Sequence, residues 1–322
     1  MLPLPVRFFP RSSGISCPDD PSKVHIPSFL TMFLKIEHST RYHYARPVEF
    51  TPHRLRLIPR SFPDLRIVNA NVVVNPEARV RWGRDAEENP VGSAVIVGLA
   101  SELVIESRLI LERPQMNPFD FVLEERTLTL PLSYTASEIS HLAPYLGITN
   151  PRDFLLREWL SPFLSGEGGS TTTLSVLIAV NGAISNAFRH VNRHDYGVRT
   201  PHETISLKEG TCRDFAFLLM ESARSLGIAA RYVSGYLCGS YEGDAGESHT
   251  HGWCELYLPG AGWVGFDPAN GILAAAHHVP VAVSAMAGDI PPVEGSYLGR
   301  AEDFLHQEVT ITAVELAPWE EP

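Results

Sequence analysis

The stretch "LKEGTCRDFAFLLMESARSLGIAARYVSGYL", Leu207–Leu237, decides the fold. Phe215, Leu218, Leu219 and Leu226 recur at helical spacing, so one face of a helix is apolar, and Gly227 supplies its C-terminal stop. The period then switches, and "ARYVSGYL" is a strand. Directly after Gly210-Thr211, at the mouth of the helix, stands Cys212. Cysteine is ordinarily a small apolar core residue. A helix mouth is instead where first-turn N–H groups and the macrodipole favour a negative charge, which suits a thiolate. Position alone leaves packing and nucleophile both open.

A cysteine nucleophile needs a base and a third group that orients the base. Downstream runs "SHTHGWCELYLPGAGWVGFDPANG", Ser248–Gly271. It predicts two strands joined by a turn at Pro-Gly-Ala-Gly, with His251 on the first strand and Asp267 at the end of the second. Pro268 stops the ladder just beyond Asp267. A hairpin brings imidazole and carboxylate near each other, and the register stays open. "VPVAVSA" and "EVTITAVEL" add two later strands.

Outward towards the N-terminus, "FLKIEHSTRYHY", "HRLRLIP", "RIVNANVVVNP" and "SELVIESRLILE" are short β-like runs punctuated by prolines from Pro47 to Pro90. They predict an antiparallel β-domain over 32–115, preceded by a Pro/Ser-rich extension, 1–31, that is expected to be disordered. A core over 116–299 follows, then a C-terminal strand and acidic tail over 300–322. In the core, "SEIS" predicts a helix capped by Ser137, and "NPRDFLLREWLSPFL" one capped by Asn150 with Pro151 at its first position. The class is α+β.

Over 322 residues the net charge is −11, which argues against a general nucleic-acid or anionic-membrane surface. Arg54, Arg56, Arg60 and Arg66 are expected to be solvated. Neither an apolar run of membrane length nor a continuous signal-peptide core is evident, and 4 cysteines without C-x-x-C spacing suit a reducing compartment. A cytoplasmic protein is the expectation, with no cofactor and no metal.

"GTCRDFAFLLMESARSLGIAARYVSGYL", "HGWCEL" and "GWVGFDPANG" together resemble the core of the bacterial transglutaminase-like superfamily, which shares the papain-like fold. The spacing is 39 residues from Cys212 to His251 and 16 on to Asp267, in the family's order. "STRYHYARPVEFTPHRLRLIPR" is similar to the β-domain that precedes this core in many bacterial members, so the resemblance covers Lys35 to Gly299. It implies Cys212 as nucleophile, His251 as general base and acid, and Asp267 as orienter. The implied activity is thiol-dependent acyl transfer on peptide or side-chain amides: hydrolysis first, transamidation or a non-catalytic peptide-binding module as alternatives. The segment "DAEENPV", the run Ser284–Ala287, and His190 in place of an aromatic residue depart from the commoner members.

Other residues carry weaker expectations. An oxyanion hole needs a second donor beside the Cys212 N–H, and Asn186, His190, Asn192 and Tyr196 are open candidates. A metal set of His249, His251 and Cys254 with an acidic ligand matches no usual zinc spacing, and Glu242, Asp244 and Glu247 match no calcium loop. Asp214 reads at least as well as a structural group. Trp253 and Trp263 read as core before cleft wall. Cys238 and Cys254 are expected to be buried thiols, and His277 and His278 a solvated pair.

Overall fold

The computed structural model describes residues 31–62, 64–115, 117–165, 172–193, 197–239 and 249–316. The first half is antiparallel β: β1 (Thr31–Phe50), β2 (His53–Leu55), β3 (Arg66–Asn75), β4 (Ala78–Arg84), β5 (Pro90–Ile96) and β6 (Leu99–Pro114). Helices follow: α1 (Ala136–Leu146), α2 (Phe154–Leu164) and α3 (Thr173–Ala187). Next come β7 (Arg189–His190), α4 (Pro201–Leu207), β8 (Glu209–Gly210) and α5 (Cys212–Ser225). The chain then returns to strands: β9 (Ala230–Leu237), β10 (His249–Leu258), β11 (Gly262–Asp267), β12 (Ile272–Leu273) and β13 (His278–Ser284). It ends with β14 (Val293–Glu294), β15 (Tyr297–Leu298) and β16 (Phe304–Leu316). This is the α+β class that the change of period implies.

The helix starts differ from the sequence reading for a local reason. Thr135, two residues before Ser137, caps α1, because Thr135 and Glu138 form a reciprocal capping box that satisfies two N–H groups. Asp153, whose side chain accepts the Leu156 N–H, caps α2. Asn150 instead accepts the Arg152 N–H in a turn ahead of the helix.

α5 is the centre of the second half. Its apolar face packs with β9 and β10 and with residues of α2 and α3 into one cluster, in which Leu218, Leu219 and Met220 are wholly buried. Truncating Leu218 to Ala would cost about 2–5 kcal/mol, because a close-packed core leaves a cavity when a side chain is removed. The sheet behind α5 runs β12-β11-β10-β9-β13.

The two halves share a second core. Met32, Leu34 and Ile36 of β1 and Leu109 and Leu111 of β6 pack on Tyr236 of β9 and Val279 and Val281 of β13. Buried His38 bonds through Nδ1 to the Tyr236 hydroxyl at 3.0 Å. Asn89 clamps the same junction: its Nδ2 donates to the Val283 carbonyl and its Oδ1 accepts the Val283 N–H, each at 2.8 Å. The segment around Asn89 therefore docks the β-domain on β13.

Two sequence expectations are corrected here. Arg56 is buried against Glu294 at 3.0 Å, and Arg60 is half-buried with its guanidinium on Asn89 Oδ1 and the Glu87 carbonyl at 2.6 Å; both serve packing between segments. His278 is buried, while His277 keeps partial exposure. The reason is that β13 is buried along its whole length between β9 and the first β-domain, so even its first side chain is enclosed.

The C-terminal strand returns to the front of the chain. β16 pairs antiparallel with β1, from Phe33↔Leu316 to Tyr44↔Phe304. The sheet thus runs β15-β1-β6-β3, with β16 beside β15 on the outer side of β1.

Candidate active site

Cys212 is the first residue of α5. Thr211 is the N-cap, its hydroxyl accepting the Asp214 N–H, while Asp214 Oδ2 accepts the Thr211 N–H at 2.8 Å. The approach is close: a Cβ on Gly210 would lie 2.9 Å from Asp214 Cβ, so only glycine lets the chain enter the helix here. Asp214 is fully buried and also accepts from Arg193 at 2.8 Å and the Arg199 N–H at 2.7 Å. It ties the preceding loop to the helix mouth, which is the structural reading of that residue.

His251 lies on β10, paired with Gly235 of β9. Cys254 pairs with Phe266 on β11, so Trp253 stands opposite Asp267 and His251 lies two residues further on the same face. That diagonal brings His251 Nε2 to 2.9 Å from Asp267 Oδ2. Trp253, wholly buried, backs the imidazole with ring planes at 26°. Gly235 makes room for the indole, since a Cβ there would sit 2.7 Å from Trp253 Cη2.

Asp267 is held from five directions. Oδ2 accepts from His251, from His278 Nε2 at 2.9 Å and from Asn270 Nδ2 at 2.7 Å. Oδ1 accepts the N–H groups of Ala269 at 3.0 Å and Asn270 at 3.3 Å. Burial alone would favour the neutral acid, but these donors outweigh it and hold the carboxyl well below the usual range. His278 has a fixed tautomer, because its Nδ1 accepts the Ala275 N–H at 3.2 Å and leaves Nε2 to donate to Asp267. Burial pushes the pKa of His278 down, so it donates as neutral imidazole. The sequence reading missed His278; a polar pair ahead of an apolar strand looks like a loop.

The remaining ring nitrogen of His251, Nδ1, is buried and makes no hydrogen bond, and His251 and the Cys212 sulfur act on each other's charge across the same cleft. Burial opposes charge on both groups. Against burial, His190, His251 and the Gly252 N–H stabilise the thiolate and hold the Cys212 pKa at about 5. Burial is likewise outweighed at His251, where the Asp267 carboxylate and the thiolate raise the pKa to about 10. The resting state these shifts describe is a thiolate–imidazolium pair at neutral pH.

Of the four oxyanion candidates, His190 is the one that lowers the Cys212 pKa, and it lines the same cleft. β7 runs parallel to β8 with His190 opposite Gly210, two residues before Cys212, and the ring packs edge-on to Phe215 at 6.1 Å. Asn192 lines the cleft, Asn186 is exposed on α3, and Tyr196 lies outside the described residues. The cleft has a volume of about 1100 Å³. Cys212, His251 and Tyr232 form one wall and Val309–Val314 of β16 another.

The metal alternative does not assemble. Cys254 packs in the core against α5, whereas Trp253 packs with Val233 and Val283 on the opposite face of β10, so Cys254 points away from His251. Glu242, Asp244 and Glu247 lie outside the described residues. His251, Asp267 and His278 do place ligand atoms within 4.8 Å of one another. Their ring N–H groups, however, already occupy the carboxylate. Trp263 stacks under Arg231 at 4.2 Å, away from the cleft lining. Cys238 and Cys254 are free and buried, and burial raises both thiols, Cys238 to about 12.

Comparison with known proteins agrees with this architecture. Residues 34–112 match the bacterial transglutaminase-like N-terminal region, and residues 164–268 match the transglutaminase-like superfamily. An uncharacterised protein of Mycobacterium tuberculosis is 31% identical, over 93% of this chain and 97% of its own. Another, from Mycobacterium leprae, is 25% identical over 87% of this chain and 98% of its own. A crystal structure from Cytophaga hutchinsonii, provisionally described as a cysteine protease, superposes with a TM-score of 0.66. At 17% identity it covers 91% of this chain and 93% of that one, a likeness of fold alone. The chain belongs to the transglutaminase-like superfamily, with the papain-like core preceded by the bacterial β-domain. Among the described residues no helix is long and apolar enough to cross a membrane.

Proposed function

We propose that the protein is a thiol-dependent acyl-transfer enzyme acting on amide bonds of peptides or proteins. Cys212 is the nucleophile, His251 the general base and acid, and Asp267 the group that orients His251. The observation that carries this reading is a helix-mouth cysteine and His251 lining one cleft, with the imidazole bonded to a carboxylate that accepts five hydrogen bonds in all. The thiolate attacks the amide carbonyl carbon, and the C=O π electrons move onto oxygen. The Cys212 N–H and a His190 ring N–H receive that oxyanion, preorganised at the helix mouth. The C–N bond then breaks, the electron pair leaves on nitrogen, and His251 Nδ1–H protonates the amine. A thioester on Cys212 remains.

Water attacking the thioester, with His251 taking its proton, gives hydrolysis; a primary amine in its place gives transamidation. The size of the cleft, about 1100 Å³, supports hydrolysis, since it leaves room for water beside the sulfur. The test is incubation with a peptide library, with and without an added primary amine, read by mass spectrometry. Cleavage or loss of ammonia marks hydrolysis, and amine incorporation marks transfer. Products that persist in Cys212→Ala would move the chemistry elsewhere. A binding module would retain peptides and yield no product.

A further inference from the structure

β16 is hydrogen-bonded to β1 along one side, and among the described residues no strand covers its other side. The cleft that holds Cys212 touches Val309, Thr310, Ile311, Thr312, Ala313 and Val314 without a gap. Side chains alternate between the faces of a strand, so a cavity against a face meets every second residue. A continuous run is reached from the strand edge, where the main chain itself is presented. Sheet edges are usually blunted by proline, lysine or other charges, because bare N–H and C=O groups invite another strand. Residues 309–314, "VTITAV", carry none of these and are rich in β-branched side chains. Ile311 and Ala313, on the same face as Val309, pack into the core between the two halves, yet Val309 is 50% exposed. It leaves an apolar side chain bare in the cleft wall.

We propose that β16 is the main-chain docking edge for the acyl donor: an extended peptide segment adds as a further strand along Val309–Thr312 and carries its reacting carbonyl to Cys212. The proposal rests on the acyl-transfer reading of Cys212 and deepens it by naming the substrate class. That class is an unfolded or strand-forming segment with an apolar side chain for Val309, rather than a residue on a folded helical surface. Alternate amides of the peptide pair with alternate residues of β16.

The test compares three probes that alkylate thiolates by addition to a vinyl sulfone, in which sulfur bonds to the β-carbon and the α-carbon takes the proton from His251. They are methyl vinyl sulfone, the pentapeptidyl vinyl sulfone Ala-Val-Thr-Val-Gly, and its singly N-methylated analogues. The pentapeptide is expected to inactivate at least tenfold faster than methyl vinyl sulfone. N-methylation should remove that gain at alternate positions only. Of the variants Val309→Pro and Thr310→Pro, one loses an N–H that points away from β1; that variant should lose the peptide gain and keep the methyl vinyl sulfone rate and the circular dichroism spectrum. Selective modification of Cys212 by methyl vinyl sulfone, with no gain from the peptide or an equal gain in every N-methyl analogue, overturns the docking edge alone. Failure of methyl vinyl sulfone to select Cys212 overturns the thiolate reading and the docking edge with it. A protein that is dimeric at every assay concentration and shows no peptide gain assigns the edge to a second copy and also overturns the proposal.

Discussion

Acid separates Cys212 from an ordinary cysteine. A thiol of pKa about 8.5 is roughly 0.3% thiolate at about pH 6. Cys212, held at about 5 by His190, His251 and the Gly252 N–H against its burial, is about nine-tenths thiolate there. The thiolate fractions differ by about 300-fold. A less basic thiolate is also a weaker nucleophile, with a Brønsted slope of about 0.4–0.5. Over the roughly 3.5-unit difference that slope removes a factor of about 25–55. The net expectation is reaction with methyl methanethiosulfonate roughly tenfold faster than a cysteine peptide at pH 6, and slower than it at pH 9. Between these limits the Cys212 rate should be flat, because the thiol ionises near 5 and His251 keeps its proton to about 10. Cys238 and Cys254, buried and with raised pKa values, should stay silent. Asp267→Asn should lift the acid limb towards neutrality by removing the charge that holds His251 protonated. A rate that climbs tenfold per pH unit to a midpoint near 8.5, unchanged in Asp267→Asn, would refute the ion pair.

Other outcomes follow from the same contacts. His190→Phe keeps the packing on Phe215 but removes the N–H, so turnover should fall by about 10²–10³ and the thiol pKa should rise, read by steady-state rates and the alkylation profile. His278→Phe removes a charge-assisted hydrogen bond to Asp267 worth about 1.5–3 kcal/mol; His278→Gln, which can donate again, should recover part of the lost turnover and of the thermal stability. Asn89→Ala leaves the Val283 N–H and C=O buried without partners and should cost about 2–5 kcal/mol in urea unfolding, with the Cys212 alkylation profile unchanged. The ion pair also shapes stability against pH. The lowered Cys212 value contributes stability that is present above about 8.5 and lost as pH falls through about 5. The raised His251 value contributes stability that is present below about 6.5 and lost as pH rises through about 10. Together they predict a plateau between about 6.5 and 8.5 that Cys212→Ser flattens at both flanks, measured by calorimetry.

The sequence was legible where a pattern is local. The helical stripe from Phe215 to Leu226 marks α5, the alternation of "ARYVSGYL" marks β9, and Gly-Thr-Cys at the helix mouth marks the thiol; each depends on a few neighbouring residues. His251 and Asp267 were legible because a hairpin keeps them close, although their stagger is set by the Leu258↔Gly262 closure of the turn, which composition does not reveal. What the sequence hid is long-range. His278 looks polar and loop-like until β13 is enclosed from both sides, and only then does its Nε2 meet Asp267. His190 and Asn192 are equal candidates until β7 lines up with β8. Nothing near "VTITAV" indicates that the last strand crosses back to β1 and walls the cleft, because its strand partners lie far off along the chain, 279 residues in the case of Lys35↔Val314.

The most direct measurement is acid-quenched peptide mapping of the enzyme during turnover of a peptide amide. The account predicts the substrate's acyl group on the Cys212 peptide, as a thioester that hydroxylamine releases, and its absence together with turnover in Cys212→Ala. Turnover that continues in that variant, or an acyl group carried only on another residue, would contradict it.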